Sequence, residues 1–69
     1  MDSWQGDWEF RNFHMRQDGT KGRAEVTAST EQAAREAIKK KASQEVFGDT
    51  SWQTYIQVTN LINVTRVQH

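Results

Sequence analysis

Cysteine is absent from this 69-residue chain, and histidine occurs only at His14 and His69. The first absence excludes disulfide staples, and the scarcity of imidazoles excludes a structural zinc site. There is no Gly-rich phosphate loop and no serine in a nucleophile-elbow setting. Net charge is missing too, because nine basic side chains balance nine acidic ones. Bulk attraction for nucleic acid or for an anionic membrane is therefore lacking, and any electrostatic footprint must be local. No apolar run approaches membrane-spanning length, and the opening Met1-Asp2-Ser3-Trp4-Gln5-Gly6-Asp7 is acidic and polar where a secretory leader is basic and then apolar. A cytoplasmic location is expected.

What the chain does contain is large rings: three tryptophans, three phenylalanines and one tyrosine. Each buries about 150–250 Å². That suits a chain so short that a single core barely outweighs the conformational entropy opposing it. The length admits one domain over residues 1–69, with residues 1–7 as a flexible lead-in.

From Trp8 to Arg16, large apolar and polar residues come at nearly alternate positions, the pattern of a half-buried strand. Asp18-Gly19 follows as a hairpin signal, and a second strand runs from about Lys21 to Ala28 with Ala24, Val26 and Ala28 on one side. If Asp18 and Gly19 are the two turn residues, Phe13 lies opposite Ala24, Arg11 opposite Val26, and His14 opposite Arg23. Trp8 and Phe10 then have the wrong parity for the core. Either a β-bulge near Arg11-Asn12 returns them to it, the favoured reading, or a second apolar patch lies on the outer face.

Ser29 is expected to cap a helix, with Gln32 answering in the capping-box manner. Ala33, Ala34, Ala37, Ile38, Lys41, Ala42, Glu45 and Val46 recur near helical spacing as a narrow stripe of mostly small residues. Glu31 with Arg35 and Glu36 with Lys40 add i,i+4 pairs, and Lys39-Lys40-Lys41 complements the C-terminal dipole. Phe47 folds over the helix end before Gly48 stops it. The stretch from Trp52 to Val67 is rich in β-branched and aromatic residues and holds no Gly or Pro, so it reads as one long strand. Trp52, Ile56, Val58, Ile62 and Val64 form its apolar row, and Asn60 interrupts that row as a bulge or bend. The predicted order is strand, strand, helix, strand: an α+β fold with a three-stranded antiparallel sheet and one helix packed on it.

Catalysis finds little to work with. Asp7, Glu9, Glu25 and Asp49 are candidate carboxylates, but one short helix cannot roof a deep pocket, and paired acids without a cleft do no acid-base work. No metal site, cofactor or catalytic residue is expected. Arg11, Arg16, Lys21, Arg23 and Arg66 fall on strands or the hairpin tip. With Tyr55 and an outward tryptophan they would make a shallow face suited to single-stranded RNA; the plain reading is an ordinary solvated sheet face. Trp4 lies before the first regular element, as either a lid over the core or an exposed anchor.

The order of an aromatic hairpin, then Val26-Thr27-Ala28-Ser29 leading to Gln32-Ala33-Ala34, then the strand Tyr55-Ile56-Gln57-Val58, resembles two small families. One is the small phage anti-CRISPR proteins that lay a helix on an antiparallel sheet and clamp an RNA-guided complex. The other is the archaeal ribosomal protein of the LX type. The first resemblance implies a non-catalytic protein-binding module that inhibits a host nucleoprotein complex; the second implies an RNA- or ribosome-associated protein. The residues expected to meet the partner are Trp4, Arg11, His14, Arg16, Arg23 and Tyr55, since aromatic and arginine side chains concentrate binding energy. Ile62, Val64 and Val67, on the overhang of the long strand, are expected to form the edge of a homodimer.

Overall fold

The computed structural model describes residues 1–67, with the backbone alone for Arg66 and Val67. Its sheet is centred on the segment read from sequence as a lead-in. Strand β1 (Asp2–Phe10) lies between β2 (Lys21–Ala28) and β3 (Ile56–Asn63), antiparallel to both. Helix α1 (Glu31–Phe47) joins β2 to β3 and packs on one face of the sheet, so the α+β order strand, strand, helix, strand is as predicted. A 3-10 turn (Gln53–Tyr55) leads into β3, and a single helical turn, α2 (Val64–Val67), follows it.

The first strand ends where the sequence reading had it begin. Gly6, Trp8 and Phe10 are buried at alternate positions of β1, and pairing with β2 runs without interruption from Asp2 opposite Ala28 to Glu9 opposite Lys21. Ala24 therefore lies opposite Gly6 and not Phe13, Val26 opposite Trp4 and not Arg11, and Arg23 opposite Asp7 and not His14. The expected bulge at Arg11-Asn12 does not form. The physical reason is parity: a tight Asp18-Gly19 hairpin sends Trp8 and Phe10 to the solvent face, whereas the observed register turns both inward at once. The cost is a long loop over residues 11–20.

Helix α1 starts one residue later than expected. Thr30, with extended backbone, is the cap, and its Oγ1 accepts from the Ala33 N–H at 3.1 Å, displacing the Ser29–Gln32 arrangement. Ala34, Ile38, Ala42 and Ser43 form the buried stripe, while Ala33 and Lys41 stay exposed. The helix can sit close because β1 offers Gly6 beneath it: a Cβ there would come within 3.0 Å of Ile38 Cδ1. Gly48 closes the helix in the left-handed conformation, its N–H bonded to Gln44 O. The run Lys39-Lys40-Lys41 lies ahead of the last turn, which carries no basic side chain, so the expected dipole complement is not formed.

The single long strand of the sequence reading is cut at both ends. Trp52 is held back against the helix end: its ring stacks on Phe47 at 4.9 Å and its N–H donates to Ser43 Oγ at 3.1 Å. Val64 begins a helical turn, and Thr65 Oγ1 accepts the Ser3 N–H at 2.7 Å where a strand partner would otherwise stand. Asn60 is a bulge residue, as anticipated. It has φ +51, and the register with β1 shifts between Gln5 and Asp7. The shift reverses the parity beyond it, so Leu61 packs on the core and Ile62 turns outward.

Trp8, Phe10, Ala24, Ile38, Ala42 and Ile56 make up the core, with Met15, Phe47, Trp52 and Leu61 among the side chains packed against it. Phe10 is its hub, meeting Phe47 edge-on at 5.0 Å and Tyr55 at 6.0 Å. Burying one such ring contributes about 1.5–3 kcal/mol, a large share for a domain of this size.

Candidate interaction loop

Residues 11–20 form a well-knit loop. Gly19 N–H donates to Phe10 O at 2.8 Å and closes its mouth. Inside, Asp18 Oδ1 accepts the Asn12 N–H at 2.8 Å, Asn12 Oδ1 accepts the His14 N–H at 3.1 Å, and Met15 N–H returns to Asn12 O at 2.9 Å. Asn12 and Asp18 act as caps because their short acceptors reach backbone N–H groups close to them. Met15 is the inward anchor, packed against the core.

This frame turns Phe13 outward. Its side chain is 82% exposed, and its ring lies 4.1 Å from that of His14. A phenyl ring in water on a loop tied by this many hydrogen bonds departs from ordinary burial more than any other aromatic side chain among the described residues. The sequence reading placed Phe13 in the core and missed it as a surface residue. The signal that identifies it is the Asn12/Asp18 pair, which caps a loop more readily than it occupies strand positions.

Of the six side chains expected to meet a partner, the structure brings Arg11, His14 and Arg16 into this loop. Tyr55 stands at its foot, its carbonyl accepting the Arg11 N–H at 2.9 Å and its side chain 42% exposed. Arg11 also lies 3.5 Å from Glu9. Trp4 and Arg23 lie elsewhere. Trp4 shares the inward parity of Trp8, is half-buried, and its indole N–H donates to Ala28 O at 3.0 Å, which ties it to the end of β2. Arg23 is on the outer sheet face, where Nε meets Asp7 Oδ1 at 2.9 Å.

That outer face is not the basic, aromatic platform considered from sequence. Its side chains are Gln5, Asp7 and Glu9 from β1, Lys21, Arg23, Glu25 and Thr27 from β2, and Gln57, Thr59 and Ile62 from β3. Signs alternate across it, and no aromatic side chain stands on it among the described residues. Asp7 is its hub. Arg23 donates to one carboxylate oxygen and Asn60 Nδ2 to the other at 3.2 Å, and these hydrogen bonds hold the Asp7 carboxyl below its usual pKa of 3.8. Asp49 is likewise lowered, by hydrogen bonds from Ser51.

Asp7 and Asp49 are thus engaged with donors of their own chain. No three His, Cys, Asp or Glu side chains gather to hold an ion among the described residues; His69 lies outside them. Nor is any helix there long and apolar enough to cross a membrane. The expected dimer edge loses its motivation, because β3 ends at Asn63 opposite Trp4 and leaves no overhang. Ile62 is 47% exposed on the outer face, Val64 begins α2, and the side chain of Val67 lies outside the described residues.

Both open edges of the sheet are touched by the helix. Phe10 N–H bonds to Thr20 O and Arg11 N–H to Tyr55 O, so by alternation even residues of β1 bond toward β2 and odd ones toward β3. The carbonyls of Glu25 and Val58 consequently point to open edges. Lys41 Nζ donates to the first at 3.1 Å and Arg35 Nη1 to the second at 3.4 Å.

Comparison with models of protein families, with curated proteins and with solved structures found no match to this chain. The class defined by the fold is a small α+β domain.

Proposed function

We propose that this chain is a non-catalytic protein-binding module whose docking element is the loop of residues 11–20. The observation that carries the reading is Phe13, held in solvent by an ordered frame and flanked by Arg11, His14 and Arg16. Ring-and-arginine clusters of this kind supply most of the energy of protein interfaces, and a frame already ordered lowers the entropy lost on docking. The narrower form of the proposal is an inhibitor that docks on a host nucleoprotein complex such as a CRISPR effector. It rests on the resemblance in element order.

The RNA reading depended on the sheet face. The mixed signs found there weaken it, since Asp7, Glu9 and Glu25 stand where phosphates would run. The test is capture from a cell lysate, with and without nuclease, on immobilised chain, wild type beside Phe13→Ala. Proteins retained by the first and lost by the second are the expected result. A retained set that is indifferent to Phe13, or that disappears with nuclease, overturns the proposal.

A further inference from the structure

We infer that the surface fitted by this loop is an acidic protein groove with an apolar pocket at its centre. The inference rests on the protein-binding reading above and names the chemistry of the partner. Residues 11–21 carry Arg11, His14, Arg16 and Lys21 against a single acid, Asp18. Asp18 is already committed, its Oδ1 accepting the Asn12 N–H. Neither Arg16 nor Lys21 forms an ion pair among the described residues, although Lys21 lies opposite Glu9 in the register. Arg11 meets Glu9 only at 3.5 Å, in the open. Such an exposed pair holds its partners weakly and is readily exchanged.

A neutral chain has therefore gathered unpaired and weakly paired basic residues in and beside the short loop that carries one exposed ring. The ring needs an apolar pocket, and guanidinium groups at the rim of a pocket find their best partners in carboxylates, through charge-assisted and bidentate hydrogen bonds.

The same geometry favours a folded groove over a nucleic-acid strand. A polyanion needs cations strung along a path and successive free ring faces for its bases. Here the basic residues are confined to one short loop and the strand residue that follows it, one face of Phe13 is taken by the His14 ring at 4.1 Å, and the adjoining sheet face presents Glu9 and Asp7. A compact acidic rim meets the loop without running onto those carboxylates.

The probe is a displayed library of short peptides alternating Asp or Glu with large apolar residues. A matched library carrying Lys or Arg and an oligouridylate RNA run in parallel. Peptides enriched from the acidic library alone, losing about tenfold in affinity, or 1.4 kcal/mol, with Phe13→Ala and again with Arg16→Glu, are the expected result. Equal enrichment from the basic library, no enrichment at all, or tighter binding of oligouridylate overturns the inference. Both substitutions are at exposed positions, and an unchanged circular dichroism spectrum and melting curve certify the fold. The two levels separate cleanly. Lysate capture that depends on Phe13 but ignores Arg16→Glu leaves the docking loop standing and removes the acidic groove, whereas indifference to Phe13→Ala removes both.

Discussion

The indole of Trp8 lies directly over the Cα of Gly22, its cross-strand neighbour: a Cβ built on Gly22 would come within 2.5 Å of Trp8 Cζ2 and 2.7 Å of Cε2. The ring is 3% exposed and boxed in by the helix, so it has nowhere to retreat. Gly22→Ala therefore forces the sheet or the indole to shift, and overpacking of this kind costs about 1–3 kcal/mol. Thermal unfolding should fall by roughly 4–8 °C for each kcal/mol in a domain of this length. An unchanged melting temperature would show that Trp8 is not seated on β2.

The register itself is open to test through two phenylalanines. Phe10 is fully buried and Phe13 is in solvent. Truncation of Phe10 to alanine should cost about 3–5 kcal/mol, enough to leave little of the folded state, while Phe13→Ala should change stability by no more than about 0.5 kcal/mol. Chemical denaturation of both variants decides it. The reverse ranking would restore the tight hairpin at Asp18-Gly19.

That contrast also marks where the sequence could be read and where it could not. The helix was legible because small apolar residues recur at its period up to a Gly48 stop, whereas its cap fell on Thr30 and not on the neighbouring Ser29, since both residue types cap helices. The bulge at Asn60 was legible because one polar residue broke an alternating row. The hairpin was not, because Asp18-Gly19 is a strong local turn signal that competes with a non-local requirement, the burial of Trp8 and Phe10 on one face. Only the contacts of Trp8 with Gly22 and of Gly6 with Ile38 settle that competition, and neither can be read from spacing. Three of the residues expected to meet a partner, Arg11, His14 and Arg16, nevertheless fall together in the loop of residues 11–20.

Ser43 is the one buried polar residue among the described residues, and its hydroxyl is fully used. Its Oγ donates to Asp49 O at 2.6 Å and accepts the Trp52 N–H at 3.1 Å, tying the helix end to the turn that launches β3. Ser43→Ala strands a carbonyl and an N–H at once, at a cost of about 1–3 kcal/mol. Hydrogen exchange at the Trp52 amide should accelerate in this variant more than exchange at the β1 amides. A uniform acceleration would mean that the turn does not open separately.

Lys41 and Arg35 each occupy a carbonyl on an open edge of the sheet, Glu25 on one side and Val58 on the other. Long basic side chains that cover edge-strand carbonyls oppose pairing with a further strand, both by filling acceptors and by charge. Light scattering of the wild type should give a mass independent of concentration. The double variant Lys41→Ala with Arg35→Ala should associate as concentration rises while keeping its circular dichroism spectrum. Concentration-dependent mass in the wild type would show that the edges are not guarded.

Acid should weaken the outer face through Asp7. Asp7 accepts from Arg23 and Asn60, and Asp49 from Ser51, so both carboxyls titrate below 3.8 in the folded chain. A group whose pKa is depressed by folding stabilises the native state at any pH above its unfolded value, and that contribution is lost as pH falls through the lower, folded value. Wild type should therefore exceed Asp7→Asn in melting temperature by a constant margin above about pH 5. The margin should close progressively in more acidic solution, because the protonated wild-type carboxyl then resembles the amide. Asp7→Asn also frees Arg23 and Asn60, so its deficit at neutral pH should shrink in high salt, where exposed charge pairs are screened. A margin that widened toward acid would require Asp7 to be protonated more readily in the folded chain than in the unfolded one, contrary to the two donors aimed at its oxygens.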